Sequence, residues 1–102
     1  MSAPDTWVPR QTAELVLLDK LRAQPSTITV RTGQTATFGT LTIGVKGCAS
    51  RPPDLPQNAT AFVDVTDSRG SAAPFHGWIF SGMPGLAQYE HPIYGMRLLS
   101  CR

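Results

Sequence analysis

Apolar and polar residues alternate with a period of two through most of this chain, as in strands with one face buried. The clearest run is Phe38 to Cys48, FGTLTIGVKGC, in which Leu41, Ile43 and Val45 alternate with Thr40, Thr42 and Lys46. β-Branched residues fill most of this pleat, where stiff side chains cost little to order. The parity breaks at the end of the run. Cys48 falls on the opposite side of a regular pleat from Leu41, Ile43 and Val45. A bulge near Gly44 or Gly47 would return it to the core face; otherwise both faces of the strand are covered.

Other segments follow the same pattern. Thr27–Arg31 (TITVR) is a predicted strand, Thr32-Gly33-Gln34 a turn, and Thr35–Phe38 leads into the central run. Ala61–Thr66 and Ile93–Cys101 are further strands. Phe75–Ser81 (FHGWIFS) is aromatic-rich and expected at the centre of a sheet, with His76, Trp78 and Phe80 on one face and Phe75 and Ile79 on the other. Thr12–Ala23 is ambiguous. As a helix it has Thr12 as N-cap and a stop before Pro25. As a strand it puts Leu15, Leu17 and Leu21 on one face and Val16 and Leu18 on the other. The surrounding pattern selects the strand, with Ala23–Ser26 as the following turn. Ala49–Ala59 carries three prolines and is a loop. Asp67–Pro74 is a hairpin loop. Gly85–Glu90 reads as one helical turn, closed by Pro92.

These elements predict an all-β fold: a small antiparallel β-sandwich or partly open barrel of six or seven strands, with one short helical turn near residues 85–90. Residues 1–11 form an N-terminal arm, ordered only if Trp7 docks, and residues 12–102 a single β domain. Nine glycines and nine prolines in 102 residues favour short strands and many turns over a helical bundle. Charged residues make up 16% and the formal charge is +2. No basic run interleaves with aromatics, so nucleic acid is not an expected partner. No apolar segment reaches transmembrane length. The opening MSAPDTW has neither a charged n-region nor an apolar h-region, which leaves a cytoplasmic protein or the mature part of an exported one. Two widely spaced cysteines, each at the end of a predicted strand, suit a disulfide in an oxidising compartment or two buried thiols.

The runs FGTLTIGVKGCASRPPD, AFVDV and FHGWIFSGMPGLAQYEHPIYGMRLLSC, together with LLDK and Val-x-x-Gly-Gln-Thr upstream, resemble a family of short exported alphaproteobacterial proteins catalogued as a domain of unknown function. The resemblance covers nearly the whole chain. It implies a precursor with a signal peptide, a periplasmic mature domain and a Cys48–Cys101 disulfide. It offers no catalytic residues to carry over, and no cofactor is expected. Relatives carry a Gly-containing turn after LDK, where this chain has Leu21-Arg22-Ala23-Gln24-Pro25.

Candidate chemistry is sparse. His76 and His91 lack metal-ligand spacing to the cysteines, so no metal site is expected. Glu90-His91 pairs a carboxylate with an imidazole, but adjacent residues of an extended chain point apart, and a turn-fixing role before Pro92 is favoured over acid–base catalysis. Ser81-Gly82-Met83-Pro84-Gly85 lacks the order of a nucleophile elbow. The aromatics are mostly expected in the core. If one face of the aromatic strand is open, the candidate binding surface is Trp78, Glu90, His91 and Tyr94, bordered by the Arg51-Pro52-Pro53-Asp54 loop. The expectation is a non-enzymatic protein-binding or structural module of the cell envelope, with an envelope protein as partner. The alternatives are a small-ligand, lipid or glycan-binding module and, behind it, a hydrolase using Glu90 and His91.

Overall fold

The structure is a computed structural model that describes residues 7–70, 73–82, 89 and 91–102. Among them are eight strands and no helix: β1 (Val8–Pro9), β2 (Thr12–Asp19), β3 (Gln24–Arg31), β4 (Thr35–Phe38), β5 (Leu41–Ser50), β6 (Ala59–Asp67), β7 (Phe75–Phe80) and β8 (Tyr94–Cys101). They form two antiparallel sheets. The larger runs β1-β5-β6-β7, with β4 also paired to β5; the smaller runs β3-β2-β8. The sheets face each other as a sandwich. Leu41, Ile43, Val45, Val63, Val65 and Ile79 from the large sheet meet Ala13, Leu15, Leu17 and Leu98 from the small one, all buried. The helical turn expected near 85–90 lies outside the described residues, apart from Tyr89.

Thr12–Asp19 is a strand, as the alternation selected: Ala13, Leu15 and Leu17 point inward, all with no exposed surface. The turn after it comes earlier than expected. Asp19 Oδ1 accepts the amides of Leu21 and Arg22 at 3.0 and 3.4 Å, so the chain reverses over residues 20–23, with Ala23 at a φ of 53°. Leu21 therefore sits on the turn, 80% exposed, and not on the inner face. Pro25 then pairs opposite Leu18 on β3, an edge strand, where a missing N–H costs no ladder bond. Phe38 belongs to the separate strand β4, joined to β5 by the two-residue turn Gly39-Thr40. Gly39 has a φ of 59°, as the first corner of a primed hairpin turn requires, and a Cβ there would run into the Tyr94 hydroxyl.

The parity break in β5 is resolved by a bulge. Val45 pairs with Val63 and Gly47 with Phe62, so Lys46 is the extra residue. Cys48 returns to the core side, 6% exposed, and bonds to Cys101 on β8 with a Cα–Cα distance of 5.9 Å. The bond ties the two sheets together across 53 residues of chain.

β7 lies at the edge of the large sheet and not at its centre: among the described residues it pairs with β6 alone. Ile79 is its one fully buried side chain, while His76 and Trp78 face outward. The N-terminal segment is pinned by β1, where Val8 pairs with Ser50 and Pro9 with Ala49, and by Trp7, whose ring lies 4.1 Å under the Arg51 guanidinium.

Candidate functional site

Two constellations stand out, one on the outer face of the large sheet and one buried at the end of β6.

The outer face is built by the alternation of β5, β6 and β7. Cross-strand register sets Gly47, Phe62 and Trp78 in one row and Gly44, Asp64 and His76 in the next, with Thr35 of β4 beyond Gly44. Thr37, Thr42 and Thr66 make the third row. Trp78 is 54% exposed. Its ring meets Phe62 edge-on at 5.3 Å and reaches across β6 towards β5, so that a Cβ at Gly47 would lie 3.8 Å from it. An exposed indole held against a phenyl ring is ordered before anything binds it, which lowers the entropic cost of binding. In the second row Asp64 is shared: His76 Nδ1 lies 2.5 Å from Oδ1 and Lys46 Nζ 3.6 Å from Oδ2. The His76 hydrogen bond, ahead of the charge on Lys46, holds the Asp64 carboxyl below its usual range. Next to this row is a groove of about 240 Å³ floored by Gly44 and walled by Thr35, Thr42, Lys46, Asp64 and Thr66.

The buried constellation joins the sheets. Asp67, at the end of β6, and His91, just before β8, have side chains 2% and 0% exposed, with Asp67 Oδ2 2.7 Å from His91 Nε2. The amides of Ile93 and Tyr94 donate to His91 Nδ1 at 3.0 and 3.3 Å. Nδ1 is therefore the acceptor and Nε2 carries the proton donated to Asp67. Asp67 also accepts the Arg69 amide at 2.9 Å and the Thr40 hydroxyl. These bonds, that from His91 first, hold its carboxyl far below the usual carboxylate range. Tyr94 and Tyr89 pack on the imidazole with ring centroids 5.0 and 6.3 Å away. Both His91 nitrogens are engaged inside the protein, so this pair fixes the chain before β8 and has no nitrogen free to take a substrate's proton.

The residues expected at a binding surface divide accordingly. Trp78 is on the open face. His91 and Tyr94 are interior, 4% and 9% exposed, because the sheets close over the segment that carries them; they are not part of a surface. Glu90 lies outside the described residues. Pro53 and Asp54 are exposed, and Arg51 and Pro52 half-buried. The structure links this loop to the aromatic face through Trp7, which lies under Arg51 and 6.3 Å from Phe80, two residues along β7 from Trp78. Phe62, Asp64 and Lys46 were not singled out from sequence. In AFVDVT the signal was there, since Phe62 and Asp64, with Thr66, alternate with the valines on the opposite face, but their strand neighbours were unknown. No group of three or more His, Cys, Asp or Glu is placed to hold a metal ion among the described residues. No helix among them is long and apolar enough to cross a membrane.

Residues 13–101 match a family model described as an uncharacterized protein conserved in bacteria, DUF2155. An uncharacterized protein of Rickettsia prowazekii (strain Madrid E) is 25% identical over 91 residues, covering 86% of this chain. The chain spans 59% of the length of that curated relative. No solved structure matches.

Proposed function

The chain belongs to the DUF2155 family of uncharacterized bacterial proteins, and from that premise we propose that it is an exported, non-enzymatic binding domain of the cell envelope that holds its partner on the outer face of the large sheet. One observation carries this reading. Trp78, on the edge strand β7, stands more than half exposed on that face, its ring braced by Phe62 and open to a partner. The closed hydrogen bonding of His91 supports a role without catalysis. The Cys48–Cys101 bond supports the periplasm, since such pairs persist in oxidising compartments.

The test is retention by whole envelopes. Wild-type protein and Trp78→Ala are mixed with a washed envelope fraction, pelleted and quantified. Wild type is expected to co-sediment and the variant to lose about tenfold or more in apparent affinity, the range of an aromatic hot spot. Thermal melts establish that the variant is folded; an exposed site predicts a stability change within about 0.5 kcal/mol. Equal partition of the two folded proteins overturns the reading.

A further inference from the structure

We propose that the free edge of β3 pairs with the same edge of a second copy of this chain, antiparallel and centred on Ile28, so that the two small sheets run on as one. Trp78, on the outer face of the other sheet, takes no part in the contact.

The hydrogen bonds of β2 decide which groups of β3 are free. The Thr12 amide donates to the Arg102 carbonyl at 2.9 Å, and the Arg102 amide to the Thr12 carbonyl at 2.8 Å. The backbone groups of Thr12 therefore point towards β8, and those of Ala13 point the other way, to its register partner Val30. The Thr32 amide agrees, donating to the Gln11 carbonyl at 2.8 Å. Ile28, Val30 and Thr32 thus face β2, while Pro25, Thr27, Thr29 and Arg31 face away from it. The amides of Thr27, Thr29 and Arg31 and the carbonyls of Pro25, Thr27 and Thr29 have no partner among the described residues. The carbonyl of Arg31 is already taken, accepting the Gln34 amide at 3.0 Å.

This set of groups is complementary to itself in one register. With Ile28 opposite Ile28, Thr27 lies opposite Thr29 of the second copy and exchanges both backbone bonds with it. Arg31 lies opposite Pro25, whose carbonyl takes the Arg31 amide. The residue without an N–H then faces the one carbonyl that needs no donor, and every other free group is met. Sliding the second copy two residues either way spoils the match. In one direction the Thr29 carbonyl meets Pro25 and finds no donor; in the other the Thr27 amide meets the occupied carbonyl of Arg31.

Exposure and charge agree with this pairing. Every residue of β3 except Ile28 and Val30 is exposed. Open edges are commonly guarded by charges or prolines along their length, but here Pro25 and Arg31 stand at the two ends and threonines fill the middle. The pairing sets threonine against threonine across the new junction, which favours a ladder. It also holds the two Arg31 side chains at opposite ends, each facing a proline, so no like charges meet.

The experiment is sedimentation equilibrium of the full oxidised chain up to about 1 mM, where a contact smaller than a standard interface is still populated. Amide hydrogen exchange is followed over the same range. The mass is expected to rise from one copy to two. The amides of Thr27, Thr29 and Arg31 should become protected as it does, while those of Ile28 and Val30 are protected throughout. Thr27→Lys with Thr29→Lys sets lysine directly against lysine and should weaken the dimer about tenfold or more. Thr27→Glu with Thr29→Lys sets glutamate against lysine and should keep it. Trp78→Ala should leave it unchanged, which separates this contact from the binding face proposed above. A chain that stays monomeric overturns the pairing. So does a dimer in which the Thr27, Thr29 and Arg31 amides exchange as fast as in the monomer, one that the paired lysines leave intact, or one that Trp78→Ala removes. Protection of these amides only when an envelope fraction is added also overturns it, since the edge then takes a strand from another protein.

Discussion

At the scale of single residues, the Asp67–His91 pair shows how a buried ion can be held without exposing chemistry. Each of the His91 nitrogens has one kind of partner, an acceptor on one side and donors on the other, which fixes the neutral Nε2–H tautomer. Asp67 keeps its charge because His91, the Arg69 amide and the Thr40 hydroxyl all donate to it. A carboxyl held below its ordinary value of 3.8 contributes stability that is complete above that value and is lost as pH falls below it. Asp67→Asn is therefore expected to be less stable than wild type at neutral pH and to change less between about pH 4 and pH 2. Urea melts across that range would show it, and parallel pH slopes for the two proteins would contradict it. None of this was visible in the sequence. Asp67 and His91 are 24 residues apart, and neither lies in a pattern that points to the other. What local reading did find was the turn: Glu90 and His91 were expected to fix the chain before Pro92, and His91 does so by accepting the amides of Ile93 and Tyr94.

At the scale of elements, the bulge in β5 decides which way Cys48 points. Side chains alternate strictly along a strand, so one extra residue inverts every position after it. Deleting Lys46 removes the extra residue and leaves Cys48 two positions after Val45, on the core side of an unbroken pleat. The deletion variant is therefore expected to keep its disulfide, with no thiol that reacts in denaturant, whereas an alanine inserted between Gly47 and Cys48 turns the cysteine outward and is expected to leave two reactive thiols. A deletion variant recovered with two free thiols would show that the bulge does not set the parity. The sequence carried this signal, because the period-two pattern of Leu41, Ile43 and Val45 and the position of Cys48 could not both be right without a bulge. The same pattern misjudged β7. A run of aromatics suggested a strand at the centre of a sheet, but β7 pairs with β6 alone among the described residues, and only Ile79 on it is fully buried. The reversal after β2 was misplaced for a different reason. Pro25 suggested a turn, and prolines are also tolerated where β3 now lies, at the sheet edge. Asp19 was the better marker, an Asx residue two positions beyond Leu17, the last inward leucine of β2.

At the scale of the whole molecule, the disulfide links the large sheet to the small one across 53 residues. By chain entropy, closing a loop of that size stabilises the fold by about 4 kcal/mol, a large part of what a domain of this length has. The double variant Cys48→Ala, Cys101→Ala is expected to lose about that much in urea unfolding; a loss under about 1 kcal/mol would mean that the two sheets hold together by packing alone. A bond of that weight makes the fold robust in an oxidising compartment and marginal in a reducing one. The two sheets also differ in how the chain builds them. The large one is laid down mostly from neighbours in sequence, while the small one pairs β2 with β8, from opposite ends of the domain. Thr12 and Arg102 exchange backbone hydrogen bonds at 2.9 and 2.8 Å. The way in and the way out are thus a single doorway. A domain arranged so can be spliced into a surface loop of a larger protein, or have its flanks joined and its backbone opened elsewhere, without displacing one core side chain.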